Sequence, residues 1–232
     1  MISKQPLILV FAISFTLLTL APPLFDQPFY GYTLIHWGDV LDIFTPLVLL
    51  PLYWVLFTDA GRLHRVLTPV LIFTSLGALW AQGQGMHLAA NSISNLLGAG
   101  GTELHALIHF YDEVLSHYLW HLGIIGLSIL LVVVSISDPV PGAVPRWRII
   151  IPSAVLYGFT YFAAINEGGT VPLGLPAAAL IVVGLLIGKR NDIRTKNLIA
   201  FFFLAYLISL LLFTAWFARW GGFPEFSEVG LL

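Results

Sequence analysis

Glu113, His117 and His121 recur at four-residue intervals, and on an α-helix each such step turns the side chain by only about 40°. The three therefore share about 80° of one helix face. A His-x-x-x-His pair sets two imidazoles one turn apart, both able to point a ring nitrogen at a single ion, at roughly 2.0–2.1 Å for zinc. A third ligand has to come from another segment, and His87 stands at a comparable depth on the preceding hydrophobic stretch. With His87, His117 and His121 as metal ligands, Glu113 is either a fourth ligand or the base that takes a proton from bound water, whose pKa zinc lowers towards about 7. Asn91 and Ser94, with Gln84 nearby, are then placed to orient a substrate carbonyl or to hydrogen-bond a ligand imidazole. Asp112 falls about 180° from His121 on an unbroken helix, on a stripe with His105, His109, Ser116 and Trp120. It is assigned to a supporting position or to the cavity mouth.

Other chemistries use the same residues. Histidines on facing helices can hold a b-type haem, and a di-iron centre would draw on further carboxylates such as Asp39 and Asp42 with His105 and His109. Carboxylates and amides beside the imidazoles suit a borderline ion and water better than a macrocycle, so one transition-metal ion, zinc, is expected ahead of haem or iron. A proton-coupled or cation transporter is the alternative from another class. Against it, the inner halves of the same segments, around Leu71 to Gly77 and Leu127 to Val134, offer only hydroxyls such as Thr74, Ser75 and Ser128.

These residues are embedded in a chain of 232 residues, 58% hydrophobic and only 9% charged, with a mean hydropathy of +0.91. A soluble domain carries about a quarter charged residues, so this composition implies a polytopic membrane protein. A net charge of −2 leaves no basic field for nucleic acid. The absence of cysteine excludes disulfides, thiolate nucleophiles, iron–sulfur clusters and Cys-rich zinc sites, leaving nitrogen and oxygen as the metal donors.

Seven apolar stretches are long enough to cross lipid: 6–24, 40–57, 67–91, 114–136, 148–165, 171–188 and 197–217. The expectation is an all-α bundle of seven transmembrane helices forming one domain, 1–232. Of the ten basic residues, all but Arg219 fall before span one or in the connections after spans two, four and six. That asymmetry orients the chain N-in and C-out, in a plasma or inner membrane. Gly98 to Gly101 forms a loose outer turn, and Gly77, Gly83, Gly85, Gly123 and Gly126 suit close helix contact. The tryptophans mark interfaces, and Arg219 with Glu225 and Glu228 reads as a snorkelling anchor.

On that topology every histidine except His64 lies on the outer half. A charge in lipid costs about 2.5–3.5 kcal/mol, so ionisable residues gathered in one layer belong to a shared cavity between spans two to five, near the extracytoplasmic face. At that depth an acyl linkage of a lipid would lie beside the site. The expected activity is metal-dependent hydrolysis of an amide or ester in a lipid-like, amphipathic substrate, with membrane lipids as surroundings and partners.

Seven spans, three histidines, a carboxylate and a nearby serine together resemble the inventory of the membrane hydrolase superfamily that includes alkaline ceramidases and progestin/adiponectin-type receptors. The resemblance implies similar site chemistry. The order differs: that family sets its His-x-x-x-His pair on the last span and a histidine and serine on span two. Here the pair is on span four, His87 is on span three, and 197–217 holds no histidine.

Overall fold

A computed structural model describes residues 5–97, 102–138 and 144–231; Lys4 and the turn from Gly98 to Gly101 lie outside them. The described chain runs α1 (Gln5–Leu20), a 3₁₀ turn, strands β1 (Pro28–Phe29) and β2 (Tyr32–His36), α2 (Trp37–Ala60), α3 (Leu67–Leu97), α4 (Glu103–His109), α5 (Ser116–Ser137), α6 (Trp147–Glu167), α7 (Val171–Gly188), α8 (Arg190–Thr195) and α9 (Asn197–Trp220). Among the described residues, five helices are long and apolar enough to cross a membrane: α2, the rod Glu103–Ser137 that joins α4 to α5, α6, α7 and α9. The protein is thus a helical membrane protein. α1 has 16 residues, and α3 has 31 but carries Gln82, Gln84, His87 and Asn91 in its second half.

The bundle departs from all-α at one place. Pro22 and Pro23 cannot continue α1, which ends at Leu20 rather than at residue 24. The chain then doubles back as the antiparallel hairpin β1–β2, with Tyr30 and Gly31 at positive φ in its turn. Phe29 and Tyr30 pack on Trp37, at ring separations of 4.6 and 5.2 Å. His36 caps α2: its backbone N–H donates to Asp39 Oδ2 at 2.7 Å, and the reciprocal bond completes a capping box. Gly38 is required beneath this turn, because a Cβ there would meet the Pro22 carbonyl oxygen at 2.4 Å.

The core below is aromatic. Tyr53, Ser128 and Tyr157 close a triangle of hydroxyl contacts at 2.9–3.2 Å, which satisfies three polar groups deep in the bundle. Phe15 stacks on Tyr157 at 4.4 Å. At the far end, Lys196 Nζ donates to the carbonyls of Ser135 and Asp138, both at 2.7 Å, tying the start of α9 to the end of α5. At the opposite end the indole N–H of Trp80 donates to Gln84 Oε1 at 2.7 Å. Gln84 Nε2 in turn donates to Asp42 Oδ1 at 2.7 Å, and Thr45 bridges Asp42 to the Leu18 carbonyl. Helices α1, α2 and α3 are thereby joined by polar bonds out of water, where an unpaired group would be costly.

Two glycines bring α3 and α5 together. A Cβ on Gly83 would stand 2.5 Å from the Trp120 amide nitrogen and 2.6 Å from the Ser116 carbonyl oxygen. On Gly123 it would stand 2.8 Å from the Leu76 carbonyl oxygen and 2.9 Å from the Trp80 amide nitrogen. The obstacles are backbone, so neither helix can yield locally. Gly77 and Gly126 meet leucine side chains, whereas Gly85 faces open space. Gly83→Ala is expected to lower the denaturation midpoint in detergent, with a loss of about 1–3 kcal/mol. Gly85→Ala should leave it unchanged or raised, by up to about 1 kcal/mol from helix propensity. Equal midpoints for the two variants would refute the close contact.

Candidate functional site

The close approach at Gly83 sets the position of His87, which emerges from α3 one turn later, opposite the first turns of α5. Its imidazole lies 4.9 Å from that of His117, centre to centre, and His117 lies 5.9 Å from His121 with nearly parallel rings. Trp120 packs against all three, at 5.1–6.2 Å. The three histidines expected to cooperate are brought into one row. As they stand, no three His, Asp or Glu side chains among the described residues group closely enough to hold an ion.

Each ring nitrogen has a definite setting. His87 Nδ1 lies 2.8 Å from Asp112 Oδ1. His121 Nδ1 lies 2.6 Å from Thr170 Oγ1, and its Nε2 has no hydrogen-bond partner among the described residues. His117 Nδ1 likewise lacks one, with Glu113 Oε2 at 3.7 Å. Gly168 allows this packing: a Cβ there would meet His121 Cε1 at 2.7 Å.

Asp112 meets His87 because the packing of Gly83 on Ser116 sets the residue one turn before Ser116 against the residue one turn after Gly83. Residues Phe110–Leu115 form a π-helical turn between α4 and α5. The wider turn changes the phase between Asp112 and the residues after it. The Ser116 hydroxyl donates back to the Asp112 carbonyl, supplying a local partner where the regular register is lost. Asp112 is consequently only 3% exposed, not at a mouth, and supports His87 rather than following the stripe of His105 and His109. Glu113, one residue on, has a side chain 45% exposed.

Two cavities meet at these residues. The larger, about 1040 Å³, is lined by His87, Glu113, His117 and His121 together with Leu20, Phe159, Glu167 and Phe226 among others. Its walls are the end of α1, α3 at His87, the α4–α5 rod, the end of α6 and the tail after α9, so spans three to five border it, with α1 and the tail in place of span two. The smaller, about 260 Å³, is lined by Asp26, His36, Asp39, Asp42 and Asn91, and shares His87 and Trp120 with the larger. Asn91 Nδ2 donates to Asp39 Oδ1 at 3.3 Å, which places Asn91 on the side away from His117 and His121. Ser94 lines neither cavity.

The tail is part of the site, a role its sequence did not announce. Asn166 Nδ2 and Trp216 Nε1 both donate to the Pro224 carbonyl, at 2.7 and 3.0 Å. The Phe226 amide donates to Glu167 Oε2 at 2.6 Å, and its ring packs on Trp216 at 4.7 Å. Glu225, held beside the end of α6, has its carboxyl pushed above the usual carboxylate range by burial, reinforced by Glu167, Glu228 and Glu113. Arg219 stacks over Trp220 at 4.6 Å.

No family model matches the chain, and no curated protein or solved structure is significantly similar to it. The chemistry of the site is therefore the ground for a functional reading. Thr170→Val removes the hydroxyl beside His121 Nδ1 while keeping the side chain's shape. Leaving both nitrogens of this buried ring without partners is expected to cost about 1–3 kcal/mol, read as a lowered unfolding midpoint in detergent. A midpoint equal to the parent's would show that the contact contributes nothing.

Proposed function

We propose that this chain is a seven-span, metal-dependent hydrolase, acting on an amide or ester bond of a membrane-partitioned amphiphile. The observation that carries this reading is the larger cavity, in which a buried row of imidazoles and Glu113 faces apolar side chains such as Leu20, Leu24, Phe159 and Phe226. Such a space accepts an acyl chain beside groups able to act on its linkage.

Seven spans result if α1 and α3 also cross. At about 1.5 Å per residue, the 16 residues of α1 extend about 24 Å, and the 3₁₀ turn at Pro22–Leu24 brings the segment close to the roughly 30 Å hydrocarbon core. α3 turns Gln84 and Asn91 to Asp42 and Asp39 of α2, and His87 to Asp112 of the α4–α5 rod. The connections bearing Arg62, Arg65, Arg146, Arg148, Lys189, Arg190, Arg194 and Lys196 then mark the cytoplasmic face. This orientation puts the N-terminus inside, the C-terminus outside and the site near the extracytoplasmic face of a plasma or inner membrane.

Two imidazoles bound tetrahedrally to one zinc have ring centres about 5 Å apart, given metal–nitrogen bonds near 2.0–2.1 Å. The adjacent pairs, at 4.9 and 5.9 Å, are close to that value, and for all three to share an ion the outer two, His87 and His121, must also swing towards each other. Asp112 behind His87 and Thr170 behind His121 have the positions of outer partners that fix a ligand ring and its tautomer. A bound zinc would acidify water and polarise a carbonyl. Glu113, partly exposed within the cavity and adjacent to His117, is the base that receives the proton and returns it to the leaving group.

Elemental analysis of the detergent-purified protein is expected to give one zinc per chain, reduced at least about tenfold in His117→Ala and His121→Ala. Glu113→Gln should keep the metal but lose about 10²–10⁴-fold in hydrolysis of a long-chain umbelliferyl ester. Undiminished metal in both histidine variants removes the ligand assignment, and normal turnover in Glu113→Gln removes the base.

A further inference from the structure

The larger cavity has a charge character that the hydrolytic reading does not use. Glu113, Glu167 and Glu225 all line it, with His87, His109, His117 and His121, and among the described residues no Lys or Arg does. The three carboxylates come from the α4–α5 rod, the end of α6 and the tail, and hydrogen bonds hold the last two in place. Glu167 Oε2 accepts from the Phe226 amide, and the Glu225 amide is held by Glu228 Oε2 at 2.9 Å. Glu225 Oε1 stands only 3.7 Å from where a Cβ on Gly169 would lie, so its carboxylate is turned towards the α6 end that carries Glu167. Mutual repulsion adds to burial in raising the Glu225 carboxyl, and a cation among these groups would relieve that repulsion.

A second observation points independently to a ligand. His121, 2% exposed, and Trp120, 9% exposed, line the same cavity. Among the described residues, Trp120 Nε1 has no hydrogen-bond partner, and neither has His121 Nε2, the nitrogen given over to the proposed zinc, so it is Trp120 that calls for a further ligand. Buried polar atoms without partners beside a cavity are expected to be satisfied by what enters it. The aromatic faces of Tyr118, Phe159 and Phe226, also in the lining, add quadrupoles that favour an alkylammonium over an anion.

We propose that the larger cavity binds an amphiphile with a cationic amine head group, its ammonium held by Glu167 and Glu225 and its chain against Leu20, Leu24 and Phe159. This deepens the proposed function, since it rests on the same cavity and names the substrate class. At the end of the cavity formed by α6 and the tail, an anionic head would meet Glu167 and Glu225 in a low-dielectric setting. A neutral head would forgo charge-assisted hydrogen bonds, which are roughly twice as strong as neutral ones.

The test uses non-hydrolysable probes, so that its outcome is separate from that of the hydrolase reading. Dodecylamine, dodecanol and dodecanoate are titrated into the full-length protein in phosphatidylcholine nanodiscs, with empty nanodiscs subtracted, and binding is read from the fluorescence change lost in Trp120→Phe. Dodecylamine is expected to bind at least about tenfold more tightly than dodecanol, and dodecanoate more weakly than either. Glu225→Gln, in the partly exposed tail, and Glu167→Gln should each reduce the amine preference several-fold while leaving dodecanol affinity unchanged. Equal affinities for amine and alcohol, tighter binding of dodecanoate, or an amine preference intact in the Glu167→Gln/Glu225→Gln double variant would overturn the proposal. If the parent protein hydrolyses no ester and yet the amine preference holds, the hydrolase reading falls and the binding site stands.

Discussion

The contact between α3 and α5 at Gly83 and Gly123 is the constraint that determines the site's geometry. Two backbones that approach this closely cannot slide or rotate independently, since each glycine position is blocked by main-chain atoms of the other helix. One turn beyond Gly83, His87 therefore emerges at a fixed height against His117 and Trp120. In lipid this matters more than in water: helix association there lacks a hydrophobic drive and depends on packing and hydrogen bonds. The polar chain from Trp80 through Gln84 and Asp42 to Thr45 then fixes α2 and α1 to the same pair. The tail extends the construction from the other side, with Pro224 and Phe226 bonded to Asn166, Trp216 and Glu167.

The partnership of His87, His117 and His121 was legible because two simple regularities coincide. Helical spacing puts Glu113, His117 and His121 on one face, and the penalty for ionisable groups in lipid turns that face inward. Helix positions were set by hydropathy, with ends displaced wherever a cap or proline overruled it, as at Pro22 and His36. The place of Asp112 was not legible. Its partnership with His87 follows from the register of α3 against α5 at Gly83 and Ser116, which spacing along one helix does not give, and no residue in Phe110–Leu115 announces the π turn there. The hairpin was hidden for a related reason: Pro28 to His36 is short, and its two strands are stabilised by packing on Trp37 rather than by an alternating pattern. The tail was overlooked because Glu225 and Glu228 in a chain end match a solvated terminus as well as a cavity wall.

A histidine row, an apolar chamber and a separate acidic vestibule together set a condition on any reaction here. Hydrolysis at membrane depth needs two reagents that arrive from different phases: an amphiphile from lipid and water from outside. One opening serving both would flood the acyl chamber or starve it of water. Here the smaller cavity, lined by Asp26, His36, Asp39, Asp42 and Asn91, is polar and lies on the α2–α3 side. The larger, bordered by α1, α6 and the tail, is amphipathic. His87 and Trp120 belong to both linings, so the wall between the two spaces is the wall on which the proposed ligand His87 sits, with Asp112 fixing it from behind. For a hydrolytic centre this is the arrangement that lets a polar reagent reach the imidazole row without crossing the chain-binding space.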